Sequence, residues 1–263
     1  MRELRGRVAV VTGAAGGIGA ALAARLREEG CRLALVDLSA EGLGRPEDGV
    51  STHAMDVSDP RAWDALARAV RDAHGGADLL INNAGITIHG TFADQSLRDL
   101  DRIVDVNLKG VLYGCRALLP QLGARGEGHV VNVSSLAGRV AFPYQSTYCA
   151  TKFAVRGFSA ALRMELAERG VGVTAVLPGA VATRLLEVAE SYDRAGSRKM
   201  AELMLAHGTR PERVADRVVR AIQRNEAEVL IGWDARLTTT AHALAPSALY
   251  GALTTALRAR TRS

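Results

Sequence analysis

The sequence predicts a doubly wound α/β domain. Short apolar segments such as RVAVVT, RLALV, HVVNV and VGVTAVL alternate with longer amphipathic ones of helical period. Glycine, proline and asparagine mark many of the junctions between them. A strand that is apolar throughout, without polar alternation, is buried on both faces, as in a parallel sheet between two helical layers. Right-handed crossovers then put helices on both sides. We expect a single domain over residues 1–263, with a parallel sheet of about seven strands and no linker dividing it.

RVAVVT is the first strand; it runs into a glycine loop and the helix ALAARLREE, which stops at Gly30. RLALV follows, then a polar loop with Gly42, Gly44, Pro46 and Gly49, and THAMDV is the third strand. Asp59-Pro60 opens the helix RAWDALARAVRDA, since aspartate accepts from a first-turn N–H and proline lacks one that the first turn cannot use. Gly75-Gly76 closes it. DLLINNAG runs from strand into turn, residues 96–124 read as helical, HVVNVSS as a strand and 147–169 as a long helix. VGVTAVLPG is a strand ending in a Pro-Gly turn, TRPERVADRVVRAIQRN a helix, and AEVLIG the last strand. Residues 184–208 have amphipathic character (Leu185, Leu186, Val188, then Met200, Leu203, Met204, Leu205), and 233–263 form a C-terminal extension packing over the domain.

Composition argues against several functions. Apolar residues make up 48% of the chain, enough for a sizeable core. The net charge is +5, but basic residues are scattered and only the tail LRARTRS groups them, without aromatic interleaving, so no nucleic-acid partner is expected. Cys31, Cys115 and Cys149 form no C-x-x-C and read as reduced packing residues of a cytoplasmic protein. The histidines form no H-E-x-x-H, so no metal site is expected. Two uncharged runs fail as membrane spans: four glycines break 8–24, and Pro246, Gly251, His242 and five threonines interrupt 238–257. Peripheral membrane contact through the second run and the arginine tail is the minor alternative. MRELRGR leads straight into the first strand, so no signal peptide is expected.

The first turn reads T-G-A-A-G-G-I-G, residues 12–19, between a strand and a helix. Glycines there permit a tight turn and close backbone approach, and the helix N-terminus attracts a pyrophosphate. The second strand ends in Asp37, an acid placed to accept both hydroxyls of an adenosine ribose. Together these make a Rossmann-type dinucleotide site.

Four motifs then stand in order: T-G-x-x-x-G-x-G (12–19), N-N-A-G (82–85), Y-x-x-x-K (148–152) and P-G (178–179). In this order and separation they resemble the short-chain dehydrogenase/reductase family over residues 7 to about 232. The resemblance implies that Gly13, Gly17, Ile18 and Gly19 hold the cofactor, with Asp56 and Val57 at its adenine and Asn83, Ala84 and Gly85 in a supporting turn. It extends the cofactor site to Pro178, Gly179, Val181 and Thr183, the last at the nicotinamide carboxamide, and to Tyr148 and Lys152. It implies a catalytic Asn107, Ser135, Tyr148 and Lys152; spacing to the tyrosine selects Ser135 over Ser134. It also implies a mobile lid at 184–208 and a homotetramer built on helices 99–124 and 147–169, where Ala160, Ala161 and Ala167 permit close approach.

Tyr148 and Lys152 lie at i and i+4, on one helix face. Lysine is scarce here, three of 33 basic residues, which makes its use at this position informative. A free phenol, with a pKa near 10, is a poor base at neutral pH, and a neighbouring cation lowers that value. A slim ammonium can also reach a ribose hydroxyl where a guanidinium would be too bulky. The expected mechanism has Tyr148 exchanging the substrate proton during hydride transfer, Ser135 hydrogen-bonding the substrate oxygen, and Asn107 holding a water that links Lys152 to solvent. The substrate side is largely apolar (Val140, Phe142, Tyr144 and Leu185, around Ser135 and Tyr148), which suits a hydrophobic secondary alcohol or ketone.

The cofactor expected is NAD, because Asp37 puts a carboxylate where a 2′-phosphate would sit. NADP-preferring relatives carry a basic residue just after that position or before the middle glycine of the loop, where this chain has Leu38 and Gly16; Arg45 lies further along. A serine hydrolase is rejected, since G-F-S-A-A at 157–161 lacks the closing glycine and falls mid-helix. The alternative is a dinucleotide-binding sensor or scaffold without turnover, disfavoured by the presence of all four catalytic residues.

Overall fold

The computed structural model describes residues 1–183 and 190–260. In chain order the strands are β1 (Val8–Thr12), β2 (Arg32–Asp37), β3 (Val50–Ala54), β4 (Leu79–Asn82), β5 (Ile88–His89), β6 (Gly128–Val133), β7 (Val171–Pro178), β8 (Glu190–Ser191) and β9 (Glu228–Ile231). The helices are α1 (Gly17–Glu28), α2 (Pro60–His74), α3 (Leu97–Val104), α4 (Gly110–Leu118), α5 (Ser146–Glu165), α6 (Arg194–His207), α7 (Pro211–Arg224), α8 (Trp233–Leu244) and α9 (Pro246–Arg260). Among the described residues, seven strands form one parallel sheet in the order β3-β2-β1-β4-β6-β7-β9. The expected Rossmann-type, doubly wound α/β architecture is the one observed.

The strands that read as apolar throughout are buried throughout: every residue of β1, β4 and β6 is buried. Their two faces feed two cores. On one face Ala9, Val11, Ile81 and Val131 pack with Leu22 and Leu26 of α1 and Val214, Val218 and Ile222 of α7. On the other Val8, Val10, Leu80 and Val130 pack with Trp63 and Val70 of α2, Val111 and Cys115 of α4, and Val155 and Leu162 of α5. The spacings 22/26, 214/218/222 and 155/162 are those of one helical stripe, so burial follows the sequence period.

Chain order reverses between β1 and β4, and the two loops leaving those strands meet there. Thr12 Oγ1 accepts from the backbone N–H groups of Asn83 and Ala84, both at 3.0 Å, and Asn83 Nδ2 donates to the Thr12 carbonyl at 2.9 Å. Ligands of open α/β sheets bind at such a switch point, outside the carboxyl ends of the strands.

The structure departs from the sequence reading in three places. The third strand covers Val50–Ala54 rather than running to Val57, because Asp56 turns the chain by accepting from the Ser58 N–H at 2.8 Å. The helix expected over 96–124 is α3 and α4 joined by a π-helical turn at Asp105–Lys109, a feature often found at functional sites. The third departure is a two-stranded parallel pair, β5 with β8, that ties the segment before α6 to the sheet body through Ile88↔Glu190 and His89↔Ser191. Leu185, Leu186 and Val188 lie outside the described residues.

Candidate active site

A cavity of about 1780 Å³ opens at the switch point. The glycine loop after β1, the ends of β2 and β4, the turn after β6, the start of α5, the Pro178–Gly179 turn, and parts of α6, α8 and α9 line it. Of the residues expected to bind cofactor, Gly13, Gly17, Ile18, Asp37, Asp56, Val57, Asn83, Ala84, Gly85, Tyr148, Lys152, Pro178, Gly179, Val181 and Thr183 all lie on its wall. Ser135, Phe142 and Tyr144, expected on the substrate side, do too.

Three expected residues sit behind the wall. Gly19 is packed so tightly that a Cβ would lie 1.9 Å from the Gly13 carbonyl oxygen; it shapes the loop from beneath. Val140 is fully buried against Leu136, Ala235 and Leu249, so it braces the pocket and does not face it. Asn107 is fully buried as well. Its Oδ1 accepts from the Ile86 N–H at 2.8 Å and its Nδ2 donates to the Ile86 carbonyl at 2.9 Å. The side chain is thus engaged with the backbone of the turn after β4. Leu185, the remaining expected substrate contact, lies outside the described residues.

The two adjacent serines separate cleanly. Ser134 is buried and its hydroxyl donates to the Lys152 carbonyl at 2.8 Å, which pins α5 to β6. Ser135 caps the following single turn by accepting from the Ala137 N–H at 3.1 Å, and its hydroxyl stays at the cavity beside Tyr148. On α5, Lys152 is buried, its Nζ donating to the Val133 carbonyl at 3.0 Å and lying 5.6 Å from the centroid of the Tyr148 ring. A Cβ on Gly85 would come within 3.4 Å of that Nζ, so the N-N-A-G turn and the lysine share one small space.

Asp37 does two things. Its Oδ2 accepts from the Ala15 N–H at 2.9 Å, fixing the glycine loop, and its Oδ1 accepts from the Leu38 N–H at 2.8 Å. Each carboxylate oxygen retains acceptor capacity toward the cavity. The helix α1 begins after Gly16 with no side-chain cap and no acid in its first turn, leaving the positive end of its dipole to the cavity. These features fit a dinucleotide.

The sequence profile of the short chain dehydrogenase family matches residues 7–193. The chain belongs to the short-chain dehydrogenase/reductase family. SadH of Mycobacterium tuberculosis, an oxidoreductase by its name, is 39% identical over 249 residues, covering 90% of each chain. Among solved structures, a family member from Burkholderia phymatum in complex with NAD superposes with a TM-score of 0.84 at 29% identity, over 93% of this chain and 96% of that one. The 3-ketoacyl-(acyl-carrier-protein) reductase of Brucella melitensis, complexed with NADH, gives 0.76 at 29% identity, over 87% and 98%.

In this oxidoreductase the electrostatics of the Tyr–Lys pair differ from the simple expectation. Burial raises the Tyr148 phenol above its ordinary value, against a smaller lowering from the Ser135 hydroxyl. Burial also pushes the Lys152 ammonium down to about 8. Both shifts have one cause: desolvation disfavours each charged form, and the ammonium points to the Val133 carbonyl. The three cysteines are free and buried, and burial raises all three thiols, Cys31 and Cys115 to about 12, so Cys149 beside Tyr148 is a packing residue. Among the described residues no cluster of potential metal ligands occurs, and no helix is long and apolar enough to cross a membrane.

Sequence reasoning missed two features of the cavity wall. Asp234, on α8, accepts from the Ala180 N–H at 2.7 Å and so supports the Pro178–Gly179 turn. Its only signal was an acid just after Gly232 at a helix start, indistinguishable from an ordinary first-turn acid. Thr87 and His89, around β5, also line the cavity; Thr87 Oγ1 and His89 Nδ1 are buried without a partner. Tyr144, held at φ +63°, sets its ring 5.4 Å from that of His89, the two planes tilted by 46°.

Proposed function

We propose that this chain interconverts a hydrophobic secondary alcohol and its ketone with NAD(H), using Tyr148 as general acid/base. The observation that carries this reading is the buried Lys152 ammonium set beside the Tyr148 phenol, with the Ser135 hydroxyl on the same cavity wall. A binding module without turnover has no use for a desolvated cation next to a phenol. The uncapped start of α1, the glycine loop and the Asp37 carboxylate would hold the dinucleotide, and Thr183, Pro178 and Gly179 its nicotinamide end. When bound, the nicotinamide supplies the hydride acceptor for the alcohol or the donor for the ketone.

The protein supplies the rest. Tyr148 Oη takes the hydroxyl proton as the carbonyl forms, or returns it in reduction. Ser135 Oγ donates to the substrate oxygen and keeps it next to the phenol. Lys152 favours the phenolate electrostatically, and Asn107 positions the Gly85–Ile86 turn that borders the lysine. Phe142, Pro143, Met200, Leu203 and Met204 make the substrate side apolar, in keeping with a hydrophobic substrate. The wall around Asp37 carries uncharged Leu38 and Gly16, which favours NAD over NADP; family members solved with NAD and NADH support the same choice.

Residues 190–208, tied by β8 to β5, belong in this reading to a lid spanning about 184–208, and α8 with α9 to an extension of a single catalytic domain. The outer face of α5 exposes Phe153, Gly157, Ala160, Ala161 and Met164, an apolar stripe suited to pairing with a second copy in a homotetramer. A monomeric mass by light scattering would exclude that assembly. The free, buried cysteines agree with a reducing cytoplasm.

The test is turnover of a panel of secondary alcohols with NAD and ketones with NADH, followed by nicotinamide absorbance. Apolar members should turn over best. Tight cofactor binding with no turnover across the panel would favour a sensor, and turnover confined to polar substrates would sink the substrate assignment.

A further inference from the structure

The family profile ends at residue 193, yet the cavity wall does not. Asp234 and Thr238 of α8 and Leu253 of α9 all line it. Asp234 and Thr238 are one turn apart on one helix face, as are Leu249 and Leu253. Leu249 anchors α9 on Leu136 and Val140, in the segment that follows Ser135. Tyr250 Oη accepts from the Ala141 N–H at 3.3 Å, and the Tyr250 ring meets His242 of α8 edge-on at 5.4 Å. Ala235, fully buried, closes the same cluster from α8. The two C-terminal helices thus form a hairpin seated on residues 136–142, and the face that seats it delivers Leu253 to the cavity, whose wall also holds Phe142.

We infer that the α8–α9 hairpin is the substrate-size determinant of this enzyme, with Leu253 as the residue against which the apolar substituent of the substrate ends. The inference rests on the alcohol/ketone reading above and adds to it where the substituent lies and what limits its length. Residues after Ser135 border the reacting oxygen, so a wall built on Leu136–Phe142 stands on the substrate side rather than at the adenosine end, which Asp37 and Asp56 occupy. An apolar end wall with a neighbouring small hydroxyl residue, Thr238, fits a linear or alicyclic hydrocarbon group better than a charged one. Asp234 carries the same hairpin onto the Pro178–Ala180 turn, so substrate wall and nicotinamide-side turn share one support.

The experiment compares wild type, Leu253→Trp and Leu253→Ala on methyl ketones of increasing chain length with NADH. A methylene's worth of pocket space changes kcat/KM by about ten-fold or more, so the long-to-short ratio should fall by about ten-fold in Leu253→Trp and rise in Leu253→Ala. NADH affinity, read by fluorescence titration, should be unchanged in both variants. Thermal shift by the long ketone in the presence of NADH gives a readout independent of turnover: it should be lost in Leu253→Trp while the shift by NADH alone persists. A wild type that turns over no ketone counts against the alcohol/ketone reading, and the thermal-shift arm then still decides the hairpin's role. Equal ketone shifts in wild type and Leu253→Trp, no ketone shift in any of the three, or an unchanged chain-length profile in both variants would overturn the inference.

Discussion

The Lys152 ammonium lies 5.6 Å from the centroid of the Tyr148 ring and is buried, with the Val133 carbonyl as its hydrogen-bond acceptor at 3.0 Å. One desolvated cation and one desolvated phenol therefore share a wall. Replacing Tyr148 with Phe removes the proton acceptor and leaves the ring packing. Turnover should fall by at least about 10²-fold, the usual contribution of a general base, while NADH affinity by fluorescence titration stays within about a few-fold. Near-normal turnover would assign the base to another group.

The pH profile reports the lysine. In the proposed reading alcohol oxidation needs the phenolate, so its rate should rise with pH. A cation beside the phenol brings that limb to lower pH than a neutral side chain would, and Lys152 supplies this only while it keeps its proton, up to about 8. In Lys152→Met the cation is gone while the burial that raises Tyr148 stays, so the limb should move to higher pH than in wild type. A limb at the same pH in both proteins would dissociate Lys152 from the proton transfer.

The same shift has a stability consequence. The folded-state pKa of Lys152, about 8, is below its ordinary 10.5, so between these values the unfolded chain binds more protons than the folded one and stability rises with pH through this window. At neutral pH the buried ammonium opposes folding. Lys152→Met should therefore melt no lower than wild type at pH 7 despite losing the bond to Val133, by differential scanning calorimetry. A large drop in Tm would mean that the hydrogen bond outweighs the desolvation.

The positions that were legible in the sequence are those where local chemistry is decisive. Asp59 accepts from the Arg61 N–H at 2.9 Å with Pro60 behind it, as the Asp-Pro pair predicted, and Gly75 ends α2 at φ +78°. The glycine loop and the i,i+4 pair of α5 were equally readable, because spacing alone fixes which atoms meet. What escaped depends on tertiary contact. Which group the Asn107 amide reaches depends on how the π-helical turn sets it against Ile86. Val140 looked like a pocket residue until α9 covered it, and α9 itself reads as an irregular, threonine-rich segment because Gly251 and Pro246 obscure its period. Asp234 meets Ala180 across 54 positions, a contact that no local pattern encodes.

Asp234 yields a direct test. Removing its carboxylate leaves the partly buried Ala180 N–H without an acceptor, at up to about 1–3 kcal/mol. Asp234→Ala should weaken NADH binding by roughly ten-fold, while Asp234→Asn, which keeps an oxygen at that position, should recover most of the affinity. Equal loss in both variants would point to the charge rather than to the hydrogen bond.

In the proposed reading, cofactor choice turns on Asp37. Its carboxylate stands at the end of β2 on the cavity wall, and the residues that could offset it there, Leu38 and Gly16, are uncharged. Leu38 is 70% exposed, so a longer cationic side chain at that position has room to extend. Arg45 is exposed and is not part of the wall. A 2′-phosphate would thus meet a like charge and no cation at positions 16 and 38, and wild type should show a higher kcat/KM with NAD than with NADP on the same substrate. The structure adds a complication for the obvious variant: Asp37 also holds the Ala15 and Leu38 N–H groups, so Asp37→Ala should weaken both cofactors while removing the repulsion that falls on one. Adding Leu38→Arg supplies a fork that can bind phosphate through two hydrogen bonds. The double variant should therefore favour NADP in the ratio of the two kcat/KM values even if its absolute rate with NADP stays below that of wild type with NAD. A wild type that already prefers NADP, or a double variant whose ratio does not move, would remove Asp37 from cofactor discrimination.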